Sequence, residues 1–469
     1  MSRLRIGFVS VTRPAFKGDT AAAVRRSLAG LEALADELDF EPVAVAAPLA
    51  DAAAAERAAA ELGGLELDYL LVQLTTFVTG DIVAPLLRAV PHVGAWGLPE
   101  RAGGRGQAGP LPLNSLCGLS MTLSTLAHPV VAKVEPVKWF YGEADDAAFR
   151  VRLAVTVAAL RGLLALARAR VVAIGGTAPG FYGLDEVPAL AGVQVVRREL
   201  SELFERVAAV SDAEAAARAR RWAETERYDV PFEQLQRAAR IDLALAGMAA
   251  QAEASALAVR CWPELPEACG AMPCAAMGNV SARELPAACE GDVMGALSML
   301  ALQGISGESA ILMDLSDVDP ADDSLLVWHC GNAPVAWAAA EEGGRRPDSR
   351  LTVHFNRDGM GVVRDMRLRP GAVSGFRLLR SGHAAVIVAG ELARPEKAGF
   401  DGVRGWLSGV RWGHEPVGAA GMVANLLDRR LPHHLAFGRG ELVEPLFELC
   451  AHIGAEVVPP LPRRPYLRS

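Results

Sequence analysis

The sequence predicts an α/β protein: two doubly wound parallel-sheet domains followed by a mainly antiparallel β C-terminal domain. Three observations predict it. The first part alternates short apolar runs with stretches of helical periodicity, which implies a parallel sheet covered on both sides. A second alternation of the same kind starts near residue 169. From about residue 325 short strand-like runs dominate, separated by Gly, Pro and Asp, as in an antiparallel barrel or sandwich. The expected domains are 1–168, 169–322 and 323–469, and a chain of 469 residues is too long for one hydrophobic core.

In chain order, residues 4–10 read as a strand and 21–38 as a helix. Residues 43–47 read as a second strand, followed by an Ala-rich helix to about residue 62. The run DYLLVQL at 68–74 is apolar on both faces, as a buried parallel strand should be. A helix is expected over 81–90, strands over 92–96 and 130–134, and a helix over 145–169. The second unit opens with a strand at 170–176 and its neighbour at 192–197, then helical stretches at 213–225 and 231–258. Residues 261–290 are rich in Pro, Cys, Met and Gly without a clear period, and so long an irregular stretch inside a compact protein points to function. A helix at 292–304 and a strand at 309–315 follow. The β-rich part offers strands at 326–330, 351–355, 361–365, 372–380 and 384–389. A helix at 440–453 and a short strand at 456–458 close the chain.

Hydrophobic residues make up 51% of the chain and charged ones 22%, the composition of a globular protein. The net charge of −8 and the lack of any basic run argue against nucleic acid or anionic membrane as a partner. The most apolar long stretch, 151–174, is interrupted by Arg152, Arg161, Arg168 and Arg170, which argues against a membrane span. The N-terminal MSRLRIGFVSVTRP runs straight into a strand without the pattern of a signal peptide, so a cytoplasmic location is expected. Seven scattered cysteines fit a reducing compartment. Cys261, Cys269, Cys274 and Cys289 lack the paired spacing of a structural zinc site and read as small core residues.

Two carboxylates carry the chemistry. Glu290 stands just before the helix at 292–304, which Asp292 is placed to cap. Asp314 ends the apolar run ESAILMD, where an acidic residue at the carboxyl end of a parallel strand would face a ligand. Helix and strand lead away and back, so the two side chains are expected to converge. Among nine histidines, His329 in VWHCGNAP and the pair His433 and His434 in LPHHLAFGRG sit at strand ends. Two carboxylates with an imidazole form a hard site suited to Mn²⁺ or Mg²⁺. Such an ion polarises a sugar carbonyl, and carboxylates beside it can move a proton between neighbouring carbons through an enediol.

The stretch from Cys261 to Asp319, with ACEGDVMGALSM and LMD at its centre, resembles the L-fucose isomerase family of the L-fucose/L-arabinose isomerase group. WHCGNAP and HHLAFGRG look like that family's C-terminal motifs. The similarity is strongest over 260–334 and only architectural over the N-terminal part. The resemblance implies two α/β domains and a β-rich third. It implies Mn²⁺ as cofactor, assembly as a trimer or hexamer, and an aldose–ketose isomerase. It makes Glu290 and Asp314 both metal ligands and the acid/base pair, with His434 as the third ligand and His433 as the alternative. His329 becomes a ligand or a substrate group, and Asn332 a pocket residue. The C-terminal domain is shorter than in typical fucose enzymes, which leaves a hexose, deoxyhexose, pentose or 6-modified sugar as substrate. Trp262, Trp328 and loop arginines are the candidates to recognise a modified sugar.

Two other readings fit less well. The loop IGGTAPGFYG at 174–183 lacks the G-x-G-x-x-G spacing of a dinucleotide fold, since Gly175, Gly176 and Gly180 are misplaced and Pro179 intervenes. It is expected to border the sugar cleft. A non-catalytic sugar-binding protein of periplasmic type would need an export signal and would not need the carboxylates.

Overall fold

The computed structural model describes residues 3–45, 47–100, 110–128, 136–341, 346–357, 359–393, 397 and 399–461. The chain falls into two compact units, Met1–Leu160 and Arg161–Ser469. No helix among the described residues is long and apolar enough to cross a membrane.

The first unit is built on a five-stranded sheet in the order β2-β1-β3-β4-β5, parallel throughout. Its strands are β1 (Leu4–Val11), β2 (Phe40–Ala44), β3 (Tyr69–Leu74), β4 (Val93–Gly97) and β5 (Val137–Tyr141). Every residue of β3 is buried, which is why its sequence shows no alternation. Helix α1 (Thr20–Leu38) is capped by the Asp19 side chain and ends where Asp39 adopts φ 55. That left-handed residue turns the chain straight into Phe40, so β2 begins three residues before the expected 43–47. Helices α2 (Ala52–Gly63) and α3 (Gly80–Leu87) lie close to expectation, whereas α4 (Ser115–Thr125) was not anticipated. The strand expected at 130–134 lies outside the described residues. Helix α5 (Ala147–Ala167) ends the unit and runs into the next.

The second unit holds two sheets. The smaller is parallel, in the order β10-β9-β6-β7. Its strands are β6 (Arg170–Ile174), β7 (Gln194–Arg198), β9 (Ala256–Val259) and β10 (Ala287–Ala288). The helix expected over 231–258 is α8 (Phe232–Gln251) followed by β9. Glu253, at φ 50, breaks the helix, and the run ALAV then enters the sheet. Helices α6 (Leu200–Ala209), α7 (Asp212–Thr225), α9 (Glu264–Cys269) and α10 (Cys274–Ser281) complete this part, so the irregular stretch 261–290 contains two short helices.

The larger sheet is mixed and β-rich. Strands β11 (Ile311–Asp319), β12 (Ser324–His329), β15 (Gly371–Leu379), β16 (Ala384–Ala393), β17 (Val403–Trp412) and β19 (His434–Arg439) pair in the circuit β16-β15-β19-β11-β12-β17. Pairing of β16 with β17 closes it into an antiparallel barrel. Met313, Val327, Val388 and Leu435 are among the residues that fill its core. Around it lie β13 (Ser349–Val353), β14 (Gly361–Arg367), β18 (Glu415–Pro416), β20 (Glu456–Val457) and the two-residue β8 (Arg227–Tyr228), some of them paired in parallel. Helix α12 (Gly418–Asp428) was not foreseen; α13 (Val443–Ile453) was.

One expectation is corrected here. Asp314 does not end a parallel strand. It lies inside β11, an antiparallel barrel strand, directly opposite His434 on β19 and Trp328 on β12. Side chains alternate along a strand, so with Met313 and Leu435 inside the barrel, Asp314 and His434 project from its outer face. Helix α11 (Val293–Ser306) packs on that face, held by Ser298 Oγ, which accepts from the Leu378 N–H at 3.0 Å.

A buried ion pair ties these parts together. Arg364 of β14 donates from Nε and Nη2 to the two oxygens of Glu226, each at 2.6 Å, and its Nη1 reaches the Ala333 carbonyl. Both side chains are almost fully buried. Burial alone pushes the Glu226 carboxyl up, but the Arg364 charge and hydrogen bonds, with Ser349, hold it below its ordinary value. Such a group stabilises the fold above its unfolded pKa and loses that effect as pH falls through the folded value. Glu226→Gln leaves Arg364 buried without its counter-charge and is expected to cost about 3–5 kcal/mol at pH 7. Urea midpoints of variant and wild type should differ at neutral pH and converge well below pH 4; an equal gap at both would contradict this.

Candidate metal and catalytic centre

The barrel's outer face and the start of α11 build one cluster. The short turn Cys289–Gly291 before α11 carries Glu290 at φ 60 and ψ 15, a left-handed conformation unusual for a side chain with a Cβ. Gly291 follows at φ 75, and a Cβ there would lie 2.1 Å from the Gly176 carbonyl oxygen. The Glu290 carbonyl accepts from the Ala178 N–H at 3.0 Å. The glycine-rich loop at 174–183 therefore borders this site, and its tight approach fixes where Glu290 emerges.

Of the expected trio, His434 approaches both acids. His434 Nε2 lies 3.5 Å from Glu290 Oε2 and 3.8 Å from Asp314 Oδ1. His433 Nε2 lies 3.2 Å from the same Glu290 oxygen. His434 is 1% exposed, while the His433 side chain is half-exposed at 46%. The hydrogen bond with Glu290 raises the His433 pKa above its ordinary value, against the effect of burial.

Asp292 plays a part that its capping position did not reveal. It caps α11 through Gly295 N at 2.8 Å, accepts from Arg377 Nη1, and accepts from His434 Nδ1 at 2.9 Å. Burial works against its charge, but Arg377 and the His434 ring hold its carboxyl well below the usual range. An ionised Asp292 fixes the proton of His434 on Nδ1, as the hydrogen-bond network assigns it. Nε2 is the ring atom that faces Glu290 and Asp314. A carboxylate behind an imidazole in this way is how proteins orient a metal-ligating histidine.

The residues fit a divalent ion. Donor atoms from Glu290, His433 and His434 all lie within 4.8 Å of one another. Asp314 Oδ1 is buried and has no hydrogen-bond partner among the described residues. An orphaned buried carboxylate oxygen is costly unless a cation or a donor meets it. The clustered atoms are one carboxylate oxygen and two imidazole nitrogens, and Asp314 brings a second carboxylate to 3.8 Å from His434 Nε2.

The other expected residues surround this cluster. His329 is buried, with its ring 6.0 Å from that of His434 and Nδ1 3.4 Å from Cys330 Sγ. Burial disfavours its charge, yet Cys330, Asp314 and Glu290 raise its pKa. Asn332 is buried, and its amide nitrogen donates to the Ala287 carbonyl at 2.8 Å and contacts Cys289 Sγ at 2.9 Å. Its nitrogen thus braces the segment that presents Glu290. Trp262 stands edge to face with Phe181 at 5.5 Å, and Phe181 lies 5.6 Å from the His433 ring. Sequence reasoning missed Phe181, Arg377 and the second role of Asp292. The only signal for Phe181 was its place in the glycine-rich loop. The cysteines are free: Cys261, Cys274 and Cys289 are buried, and Cys274 Sγ lies 3.7 Å from Cys330 Sγ.

Known proteins resemble this chain. It is 27% identical over 325 residues to the sulfoquinovose isomerase of Priestia megaterium, covering 67% of this chain and 69% of that one. It is 29% identical over 337 residues to the sulfoquinovose isomerase of Alkalicoccus urumqiensis, covering 69% and 72%. A third, from a Clostridium species, is 30% identical over 207 residues, covering 43% and 45%. No protein-family model matches the chain. Similarity across two thirds of both chains makes this protein an enzyme, an isomerase.

Proposed function

We propose that this isomerase interconverts an aldose and a ketose, that its substrate is a hexose sulfonated at C6, and that it works with a bound Mn²⁺ or Mg²⁺. The observation that carries the reading is that His434, from a distant part of the chain, approaches both Glu290 and Asp314, the latter with an orphaned buried oxygen. The similarity to sulfoquinovose isomerases supports the sugar and its sulfonate. The sequence resemblance to L-fucose isomerases supports the reaction and an assembly of three or six subunits.

Glu290, Asp314 and His434 would hold the ion. When bound, it would polarise the sugar carbonyl and neutralise charge on the neighbouring oxygens. The protein's own groups do the rest. One carboxyl group of the pair Glu290 and Asp314 removes the proton from the carbon next to the carbonyl while the carbonyl oxygen takes a proton from the other, giving an enediol whose neighbouring hydroxyl then gives up its proton as the ketone forms. The same pair returns a proton to the other carbon, so the reaction runs in both directions. His329, buried with its ring beside that of His434, is placed on the substrate side of the cluster. Phe181 and Trp262 offer apolar faces against which a sugar ring can stack and exclude water.

The test is metal removal. EDTA treatment should abolish ketose formation from 6-deoxy-6-sulfoglucose, and Mn²⁺ should restore it. Full turnover in a protein shown to be free of metal would overturn the reading. So would sugar binding without conversion in the loaded protein, which is what a non-catalytic binding protein would give.

A further inference from the structure

A cavity of about 520 Å³ is linked to the carboxylate cluster through Cys330 and His329 and is not itself lined by the cluster's residues. Cys330 forms part of its wall, and Cys330 touches His329, whose ring neighbours His434. His354, Phe355 and Arg357, which follow β13, also line it. Trp328 links the two groups: its ring stacks on His329 at 6.4 Å and meets Phe355 edge to face at 5.5 Å.

The charges on this lining are unequal in use. Arg350 is engaged by Asp229 and Asp365 at 3.3 and 3.1 Å. Arg357 has no ion pair among the described residues; its guanidinium lies over the Trp262 ring, 5.9 Å from the centroid. Asp401 is the acidic residue of the lining, tied through its backbone carbonyl to Trp328 Nε1 at 2.8 Å. From Arg357 a row of rings leads back to the cluster. Trp262 is followed by Phe181 at 5.5 Å, and Phe181 by His433 at 5.6 Å. The row joins a cation at one end to the proton-transfer groups at the other, with flat apolar faces between.

A neutral sugar gives an uncommitted guanidinium in a cavity wall nothing to neutralise. A sulfonate does. It is ionised at every physiological pH and presents three acceptor oxygens, which a planar guanidinium meets with two parallel N–H bonds. A guanidinium resting over an indole keeps its edge available for such bonds while its face is covered.

We propose that Arg357 is the specificity-determining residue that binds the sulfonate, with the sugar lying along Trp262 and Phe181 so that its carbonyl end reaches Glu290 and Asp314. The proposal rests on the sulfonated-sugar reading above and assigns its recognition to a residue. The pairing separates substrates by charge and leaves the proton-transfer groups untouched.

Calorimetry on the Mn²⁺-loaded protein with non-reacting alditols tests it. The probes are 6-deoxy-6-sulfoglucitol and glucitol. Wild type is expected to bind the sulfonated alditol about 30–100-fold tighter, the range of a charge-assisted contact. Arg357→Gln should bring that ratio to within a few-fold of one, leave glucitol binding and the thermal midpoint unchanged, and give way to partial recovery in Arg357→Lys. A ratio retained in Arg357→Gln would overturn the assignment and leave the substrate reading intact. A wild-type protein that does not discriminate would overturn both, while ketose formation from neutral sugars would still uphold the aldose–ketose reading.

Discussion

Glu290→Gln and Asp314→Asn are each expected to lower kcat/KM for isomerisation by at least about 10³-fold while leaving the fold intact. General acid–base catalysis by one positioned group contributes about 10²–10⁴-fold. Each of these carboxylates is also assigned a share of the metal, so its loss removes more than a proton carrier. The changes keep side-chain size and one hydrogen-bonding oxygen. Glu290 already occupies a left-handed backbone conformation, and Gln carries the same Cβ penalty there. Asp314 stays in its barrel register opposite His434 and Trp328. Steady-state ketose formation checks the rate, and thermal unfolding checks the fold. Near-wild-type turnover in either variant would show that the proton-transfer pair lies elsewhere.

The second large effect separates two neighbouring histidines. His434→Ala is expected to weaken Mn²⁺ binding by about 10²-fold or more, and His433→Ala by less than about 10-fold. Both rings approach Glu290, at 3.5 and 3.2 Å. Only His434 also approaches Asp314, and only His434 has its tautomer set by Asp292. Changing what stands behind a ligating histidine alone costs about 10–100-fold in metal affinity, so losing the ligand itself should cost at least that much. His433 is half-exposed and packs against Phe181, a position suited to the substrate side of the cluster. A metal titration followed by Mn²⁺ electron paramagnetic resonance reads both variants. Equal or reversed effects would exchange their roles.

Much of the fold was legible because burial leaves marks on sequence. DYLLVQL has apolar residues on both faces and is a fully buried parallel strand. The short runs after residue 325 became a closed antiparallel barrel. The losses have physical reasons. ALAV at 256–259 follows a helix of the same composition, and nothing in it but a left-handed Glu253 marks the change. Strand β17, VRGWLSGVRW, carries glycines that weaken the strand pattern. Helix α6 buries Leu200, Leu203 and Val207 at helical spacing, a short pattern whose capping box, Glu199 with Glu202, is recognisable only once the start is known.

The site was legible in its residues and less so in its geometry. Glu290 and Asp314 stood out as acids beside a helix start and a strand. Asp314 was assigned the wrong kind of strand, because an apolar run does not reveal whether its neighbours are parallel. Asp292 read as a cap, and it is one; its bonds to Arg377 and His434 span 85 and 142 residues of sequence, beyond any local pattern. Phe181 and Arg357 gain their positions from loops, whose shape depends on what they pack against.

The central claim is that one divalent ion sits among Glu290, Asp314 and His434. Anomalous diffraction from crystals soaked in Mn²⁺ tests it directly. The account predicts one strong peak per chain, with a carboxylate oxygen from each acid and His434 Nε2 at about 2.0–2.3 Å from it. A peak elsewhere, or an ion held without Asp314 and His434, would contradict it.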